Sequence, residues 1–216
     1  MNRVPGGRLA DIMPRPLRPF SQQELKSVMS DLKEWSKAEP RVATLIGSGG
    51  PLKDFVVSAL TLSPHLRDTA RLMPSLLAAA LEDDCRTLLE QLIADARACW
   101  QGTSEAQIMA ALRRIKRQTS FLIALADLAG LFDGAEVTEW LTRVAEASIA
   151  AAFDHLMLAA HDGGKLTLAN PARPCEATGL VVLGMGKLGG RELNYSSDID
   201  IVVFFDPDSG VIKDAD

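Results

Sequence analysis

Cysteine is scarce in this chain. It occurs three times in 216 residues, at 85, 99 and 175. The number is odd, the positions are widely spaced and no pair has metal-ligand spacing, so neither a disulfide framework nor a cysteine metal centre is indicated. That usage fits a reducing, intracellular setting, and a cytoplasmic location is expected. Long apolar runs are also missing. No stretch reaches the ~18 residues a membrane span requires, because the most apolar windows are interrupted by Asp127 and Asp154. The first twenty residues hold four arginines and four prolines but no continuous apolar region, so they read as a flexible arm rather than a secretory signal. Basic excess is absent too: the net charge of −5 argues against general nucleic-acid binding. No internal repeat or low-complexity tract is present. His65, His155 and His161 have no ligand-like spacing, and the single tyrosine, Tyr195, reads as a packing residue.

What remains is a chain that is 47% hydrophobic and 24% charged, long enough for one or two domains with a sizeable core. From 21 to about 161 it reads as helix after helix. Ser21 and Glu24 have capping-box spacing, and a helix can run on to Pro40. "GSGGP" at 47–51 is a break, and a helix starts near Leu52. Ser63-Pro64 sets a cap before a proline at the first helical position. Further helices start near Pro74 and within "DDCRTLLEQLIADARACW", which Gly102 ends. A long helix begins near Ser104, with Ile108, Leu112, Ile115, Leu122 and Leu125 forming its core-facing stripe. A second long helix begins near 135. Both are alanine-rich, so their backbones can approach closely. Trp35, Trp100 and Trp140 read as packing residues, and Arg113, Arg114, Lys116 and Arg117 as a solvated basic face.

The composition then changes. Residues 162–178 read as a linker with a short strand at Lys165–Leu168. From 179 to 216 the order is strand, glycine turn, short helix over Lys187–Leu193, serine pair, aspartate pair, strand. The stretch "GMGKLGGRELNYSSDIDIVVFF" packs four glycines into residues 184–190 and sets Asp198 and Asp200 before an apolar run. Residues two apart on a strand share a face. Two aligned carboxylates repel unless a cation lies between them, and hard oxygen donors suit Mg²⁺. The run Ile201–Phe205 suggests a central strand covered on both faces. Gly184 and Gly186 would let a phosphate approach the backbone, with the short helix aiming free N–H groups at it. A phosphate cradle beside a metal-binding aspartate pair is machinery for phosphoryl or nucleotidyl transfer. A rival exists: "GMGKLG" satisfies the dinucleotide fingerprint, with Asp206 near the position of the ribose-binding acid. That fold needs a full-length helix between its strands, and the polar residues 196–200 leave room for about two turns.

The motif "LGMGKLGGRELNYSSDIDIVVFF" closely resembles the signature of the bacterial glutamine synthetase adenylyltransferase family, bifunctional enzymes of the nucleotidyltransferase superfamily that includes DNA polymerase beta. "ALRRIKRQTSFLIALADLAGLFDGAEVTEWLTRVAEASIAAAF" and "GSGGPLKDFVVSALTLSPHLRD" look like the family's preceding segments, so the likeness covers about residues 41–206. The resemblance implies an α+β chain: an all-helical region over 21–161 followed by the start of a polymerase-beta-like nucleotidyltransferase domain. It implies that Asp198 and Asp200 are metal-binding catalytic carboxylates. It implies nucleotide or phosphate contacts from Gly184, Gly186, Lys187, Gly189, Gly190 and Arg191; Ser196 and Ser197 either contact phosphate or cap the turn. Lys187 stands where the superfamily usually has serine. The implied cofactor is Mg²⁺ or Mn²⁺, with ATP or ADP as nucleotide. The implied partners are glutamine synthetase and a P-II type nitrogen regulatory protein, with neither nucleic acid nor membrane. A motif near residue 190 resembles the N-terminal half of such enzymes, which removes AMP from the adenylylated tyrosine of glutamine synthetase by phosphorolysis, giving ADP; the other half adds AMP from ATP. The superfamily's third carboxylate comes from a later strand, and Asp208, Asp214 and Asp216 lie in a polar tail, so the chain alone is expected to be an incomplete catalytic unit. The alternative from another class is a non-catalytic helical interaction module with a vestigial site.

Overall fold

The structure, a computed structural model, describes residues 7–12, 14–18 and 21–211. It is α+β: mostly helical, with one two-stranded antiparallel sheet. Asp214 and Asp216 lie outside the described residues. The helices are α1 (Gln22–Trp35), α2 (Pro40–Ser48), α3 (Gly50–Leu62), α4 (Pro64–Leu72), α5 (Pro74–Glu82), α6 (Cys85–Ala98), α7 (Glu105–Leu128), α8 (Gly134–Asp162) and the single turn α9 (Gly186–Gly189); the strands are β1 (Leu180–Gly184) and β2 (Ile201–Phe205).

Local chemistry fixes most boundaries. Ser21 accepts from the Glu24 N–H and caps α1. Ser63 accepts from the Leu66 N–H, and Pro64 opens α4, where its missing donor costs nothing. Ser104 and Gln107 make a reciprocal capping box at α7. Asp84 and Asp133 accept from Thr87 and Glu136 N–H at the starts of α6 and α8. The helix expected to run on from Ser21 to Pro40 ends short of it. α1 stops at Trp35, and Pro40 begins α2, with Glu39 as its cap; proline disfavours a helical residue before it.

The chain divides into two compact units. The first, Met1–Gln91 with Arg117–Val137, is helical and has a closed core. Leu9, Val28, Leu32, Phe55, Leu60, Leu77, Leu89, Phe121, Leu122 and Leu125 are all fully buried. Arg86 reaches Glu136 through two hydrogen bonds and stacks over Phe132, 5.0 Å from its centroid. The described part of the segment read as a flexible arm lies on this unit. Leu9 is buried, the Cys85 N–H donates to the Gly7 carbonyl, and the Leu17 N–H donates to Ser58 Oγ. These two hydrogen bonds, the buried Leu9 and Pro14 and a short 3-10 turn at Leu9–Asp11 hold it.

The second unit, Leu92–Lys116 with Thr138–Asp216, carries the motif. Trp100, Ile108 and Ala151 form one cluster, with Cys99, Leu112 and Leu158 around it. All three tryptophans are buried, as expected. In place of a strand at Lys165–Leu168 there is a single bridge, with the Thr167 N–H donating to the Val211 carbonyl. β1 and β2 pair from Leu180↔Phe205 to Gly184↔Ile201. Antiparallel pairing removes the dinucleotide-fold reading, which requires consecutive parallel strands joined by a crossover helix. β2 is not covered on both faces either: Val203, Phe204 and Phe205 are 44%, 55% and 58% exposed. Among the described residues β1 is its one neighbour, so its apolar side chains exceed the cover available to them.

Candidate functional site

The site is built on the end of the hairpin. After Gly184↔Ile201 the ladder continues one step, with the Met185 N–H donating to the Asp200 carbonyl at 2.8 Å. That bond ties the aspartate pair to the start of the glycine turn. Asp198 and Asp200 do not stand on β2 as expected; they occupy the irregular segment just before it, and both are exposed. Among the described residues no group of three His, Cys, Asp or Glu side chains converges as a metal centre.

Each glycine has its own reason. Gly186 has φ +52°, a left-handed value that disfavours other residues. A Cβ built there would lie 3.7 Å from Asp200 Oδ2, so the missing side chain leaves open space beside that carboxylate. At Gly189 a Cβ would fall 2.4 Å from the Gly184 carbonyl oxygen, and α9 can lie against the end of β1 only because that atom is absent. At Gly184 it would fall 2.8 Å from Leu188 Cγ. Gly190 has ordinary backbone and donates its N–H to the Gly186 carbonyl at 2.9 Å. The helix is one turn long rather than spanning Lys187–Leu193. One turn aligns few peptide dipoles, so backbone access at Gly186 matters more here than a helix field. Leu188 and Leu193 are buried against Leu141, Ala145 and Ile149 of α8.

Arg191 closes the turn. It is one of two non-glycine residues with positive φ among those described, at +56°, a conformation costing roughly 1–3 kcal/mol. Its guanidinium makes two hydrogen bonds to Glu139, at 2.9 and 2.7 Å, and a third to Glu146 at 3.0 Å. These bonds hold the Glu139 carboxyl below its usual range, and the same two carboxylates hold the arginine more firmly protonated. Sequence reasoning missed both glutamates. Their spacing of seven on α8, two turns on one face, was the signal available.

Ser196 and Ser197 form a turn with Asn194. Both hydroxyls donate to Asn194 Oδ1, at 3.2 and 2.9 Å, and the Asn194 N–H donates to Ser197 Oγ at 3.0 Å. Asn194, also missed, organises this turn; an Asx turn before a serine pair is the pattern that announces it. Tyr195 does not pack under the motif: it is 43% exposed, because the turn at 195–196 directs it outward. Lys187 is exposed, and Arg113, Arg114, Lys116 and Arg117 form an exposed face. Asp206 caps the turn Pro207–Ser209 by accepting from the Asp208 N–H. Between α8 and one face of the hairpin lies a cleft of about 580 Å³, lined by Ile149, Phe153, Leu180, Val182 and Ile201 together with Asp154 and Cys175. Burial, with Asp154 alongside, pushes the Cys175 thiol up to about 12, which makes it a poor nucleophile near neutrality.

The family model for glutamate-ammonia ligase adenylyltransferase matches residues 54–216. This chain belongs to that family. A bifunctional glutamine synthetase adenylyltransferase/adenylyl-removing enzyme of Agrobacterium fabrum is 52% identical over 96% of the chain, and one of Rhizobium meliloti is 50% identical over 96%. A third, of Bartonella quintana, is 41% identical over 86%. The chain spans only 22%, 22% and 20% of those relatives. No solved structure matches it. Among the described residues no helix is long and apolar enough to cross a membrane.

Proposed function

We propose that this segment supplies the metal-binding carboxylates and glycine turn of a nucleotidyltransferase domain acting on glutamine synthetase. The observation that carries the reading is the open space at Gly186 beside the Asp200 carboxylate, with Asp198 two residues away. Two hard oxygen donors next to a glycine-opened backbone fit a divalent cation that completes its shell with water and substrate phosphates. Asp198 and Asp200 would hold Mg²⁺ or Mn²⁺, which when bound neutralises charge on the phosphate oxygens.

The residues of this chain then have defined tasks. Gly184 and Gly189 bring α9 against β1, Gly186 admits a phosphate to the backbone, and Gly190 continues the turn. Lys187, exposed at its mouth, faces an anion as a point charge. Asn194 uses Ser196 and Ser197 to set the approach to Asp198. The reaction we assign is phosphorolysis of adenylyl-tyrosine. An oxygen of inorganic phosphate attacks the AMP phosphorus, the bond to the tyrosine oxygen breaks, tyrosine takes up a proton, and ADP leaves. The paired ATP-dependent adenylylation belongs to the other half of such a protein. A cytoplasmic setting and a P-II type regulator go with this reading. The fold we assign beyond the hairpin is the polymerase-beta-like sheet.

The test is adenylylated glutamine synthetase incubated with phosphate and Mg²⁺, using both this chain and one extended to the relatives' length. ADP production is expected from the extended chain, little from this one, and none after Asp198→Asn with Asp200→Asn. Unchanged ADP production by the double variant would leave a helical interaction module with a vestigial site as the better reading.

A further inference from the structure

Among the described residues three helices end in one hydrogen-bond pattern, and one of them departs from the other two. At the end of α7, Leu131 N–H donates to the Ala126 carbonyl and Gly130 N–H to that of Asp127. At the end of α8, Lys165 N–H donates to Ala160 and Gly164 N–H to His161. At α9, Glu192 N–H donates to Lys187 and Arg191 N–H to Leu188. This is the Schellman closure, whose left-handed residue is usually glycine. It is glycine at Gly130 and Gly164, with φ +76° and +73°. At α9 it is Arg191, although Gly190 stands one residue earlier with φ −80°. Capping alone does not explain a strained arginine where glycine would serve. The side chain does, because from this position it grips Glu139 and Glu146.

We infer that Glu139 and Glu146 act through Arg191 to hold the glycine turn against Asp200, making Arg191 a positioning residue rather than a phosphate ligand. The inference rests on the reading of Asp198 and Asp200 as the metal carboxylates. The stretch from α9 to Leu193 meets α8 at two points. One is apolar, where Leu188 and Leu193 lie on Leu141, Ala145 and Ile149; the other is the charged clamp at Arg191. From the same turn, Gly186 faces the Asp200 carboxylate and the Met185 N–H holds the Asp200 carbonyl. A shift of α9 on α8 therefore displaces the backbone beside the reacting centre. Two carboxylates around one guanidinium leave the trio with net negative charge, which repels a phosphate.

The experiment uses a protein of the relatives' full length carrying this segment, with three variants: Glu139→Ala with Glu146→Ala, Arg191→Gly and Arg191→Lys. Glycine suits the left-handed position, so Arg191→Gly removes the side chain without straining the turn. Amide hydrogen exchange at Gly190 and Glu192 and steady-state phosphorolysis are both read. The clamp predicts exchange faster by about tenfold or more in the glutamate double variant and in Arg191→Gly, with an unchanged global unfolding midpoint. It also predicts kcat lower by about tenfold or more in both, with KM for phosphate within about twofold of the parent. Arg191→Lys keeps a charge but loses the bidentate fork, and falls between. Unchanged exchange overturns the inference. So does a split in which Arg191→Gly raises KM for phosphate while the glutamate variant leaves it unchanged or lowers it. Exchange needs no activity. A parent protein that neither binds nucleotide with Mg²⁺ nor transfers AMP therefore overturns the functional reading, and the exchange result still decides the clamp.

Discussion

Phe55 and Phe204 have opposite surroundings in one chain. Phe55, on α3, is fully buried; Phe204, on β2, is 55% exposed. The first unit satisfies its apolar residues from within, because amphipathic helices recurring along the sequence supply one another's cover. The hairpin has apolar residues on both faces and one paired strand, so it offers more apolar surface than its neighbours here bury. Such a surface is either covered by further structure or prone to association. The site residues lie at the mouth of this under-covered hairpin, and the helix beneath them, α8, supplies the firm part of their support.

The largest expected effect separates the two regions directly. Phe55→Ala is expected to cost about 3–5 kcal/mol in urea unfolding followed by circular dichroism. Phe204→Ala, already half in solvent, is expected to cost under about 0.5 kcal/mol. Similar costs would show that the two phenylalanines are equally covered. Two glycines differ in the same way. Gly189→Ala drives a Cβ into the Gly184 carbonyl and is expected to destabilise the second unit by roughly 1–3 kcal/mol. Gly47→Ala, in α2 with no atom near the added methyl, is expected to stabilise by about 0.5–1 kcal/mol. The same unfolding curves test both. Gly186→Val should harm nucleotide binding in an extended chain more than it harms folding, because it strains a left-handed residue and fills the space beside Asp200; titration of nucleotide into the variant decides it.

Much of this was legible in the residues. Ser21, Ser63 and Pro64 announced helix starts, and the α7 stripe announced its buried face, because caps and periodicity are local and leave local marks. Other features depend on contacts distant in sequence. The break before Pro40 was visible but read too permissively. The apolar run of β2 states what the strand needs and not what it receives. Asp198 and Asp200 were found as a pair by spacing, yet spacing could not tell that Asp200 joins the ladder through its carbonyl while its carboxylate faces Gly186. The Arg191 clamp joins residues 45 and 52 positions apart, beyond any local pattern.

The smallest expected effect is electrostatic. The Glu139 carboxyl is held below its ordinary value by hydrogen bonds from Arg191. A depressed carboxylate contributes stability above its unfolded pKa and loses it as pH falls through the folded one. The difference in melting temperature between the parent and Glu139→Gln should therefore be present near about pH 7 and shrink as pH falls below the ordinary glutamate value of about 4.3. Both groups are near half-exposed, so the difference should be slight and should shrink with added salt.

As proposed, Asp198 and Asp200 bind nucleotide phosphates through a divalent cation. Calorimetric titration of ADP into the extended chain, with Mg²⁺ and then with EDTA, addresses it most directly. The expected result is binding with Mg²⁺, its loss in EDTA, and its loss in Asp198→Asn with Asp200→Asn while the unfolding midpoint holds. Full nucleotide affinity in EDTA, or in the double variant, would contradict it.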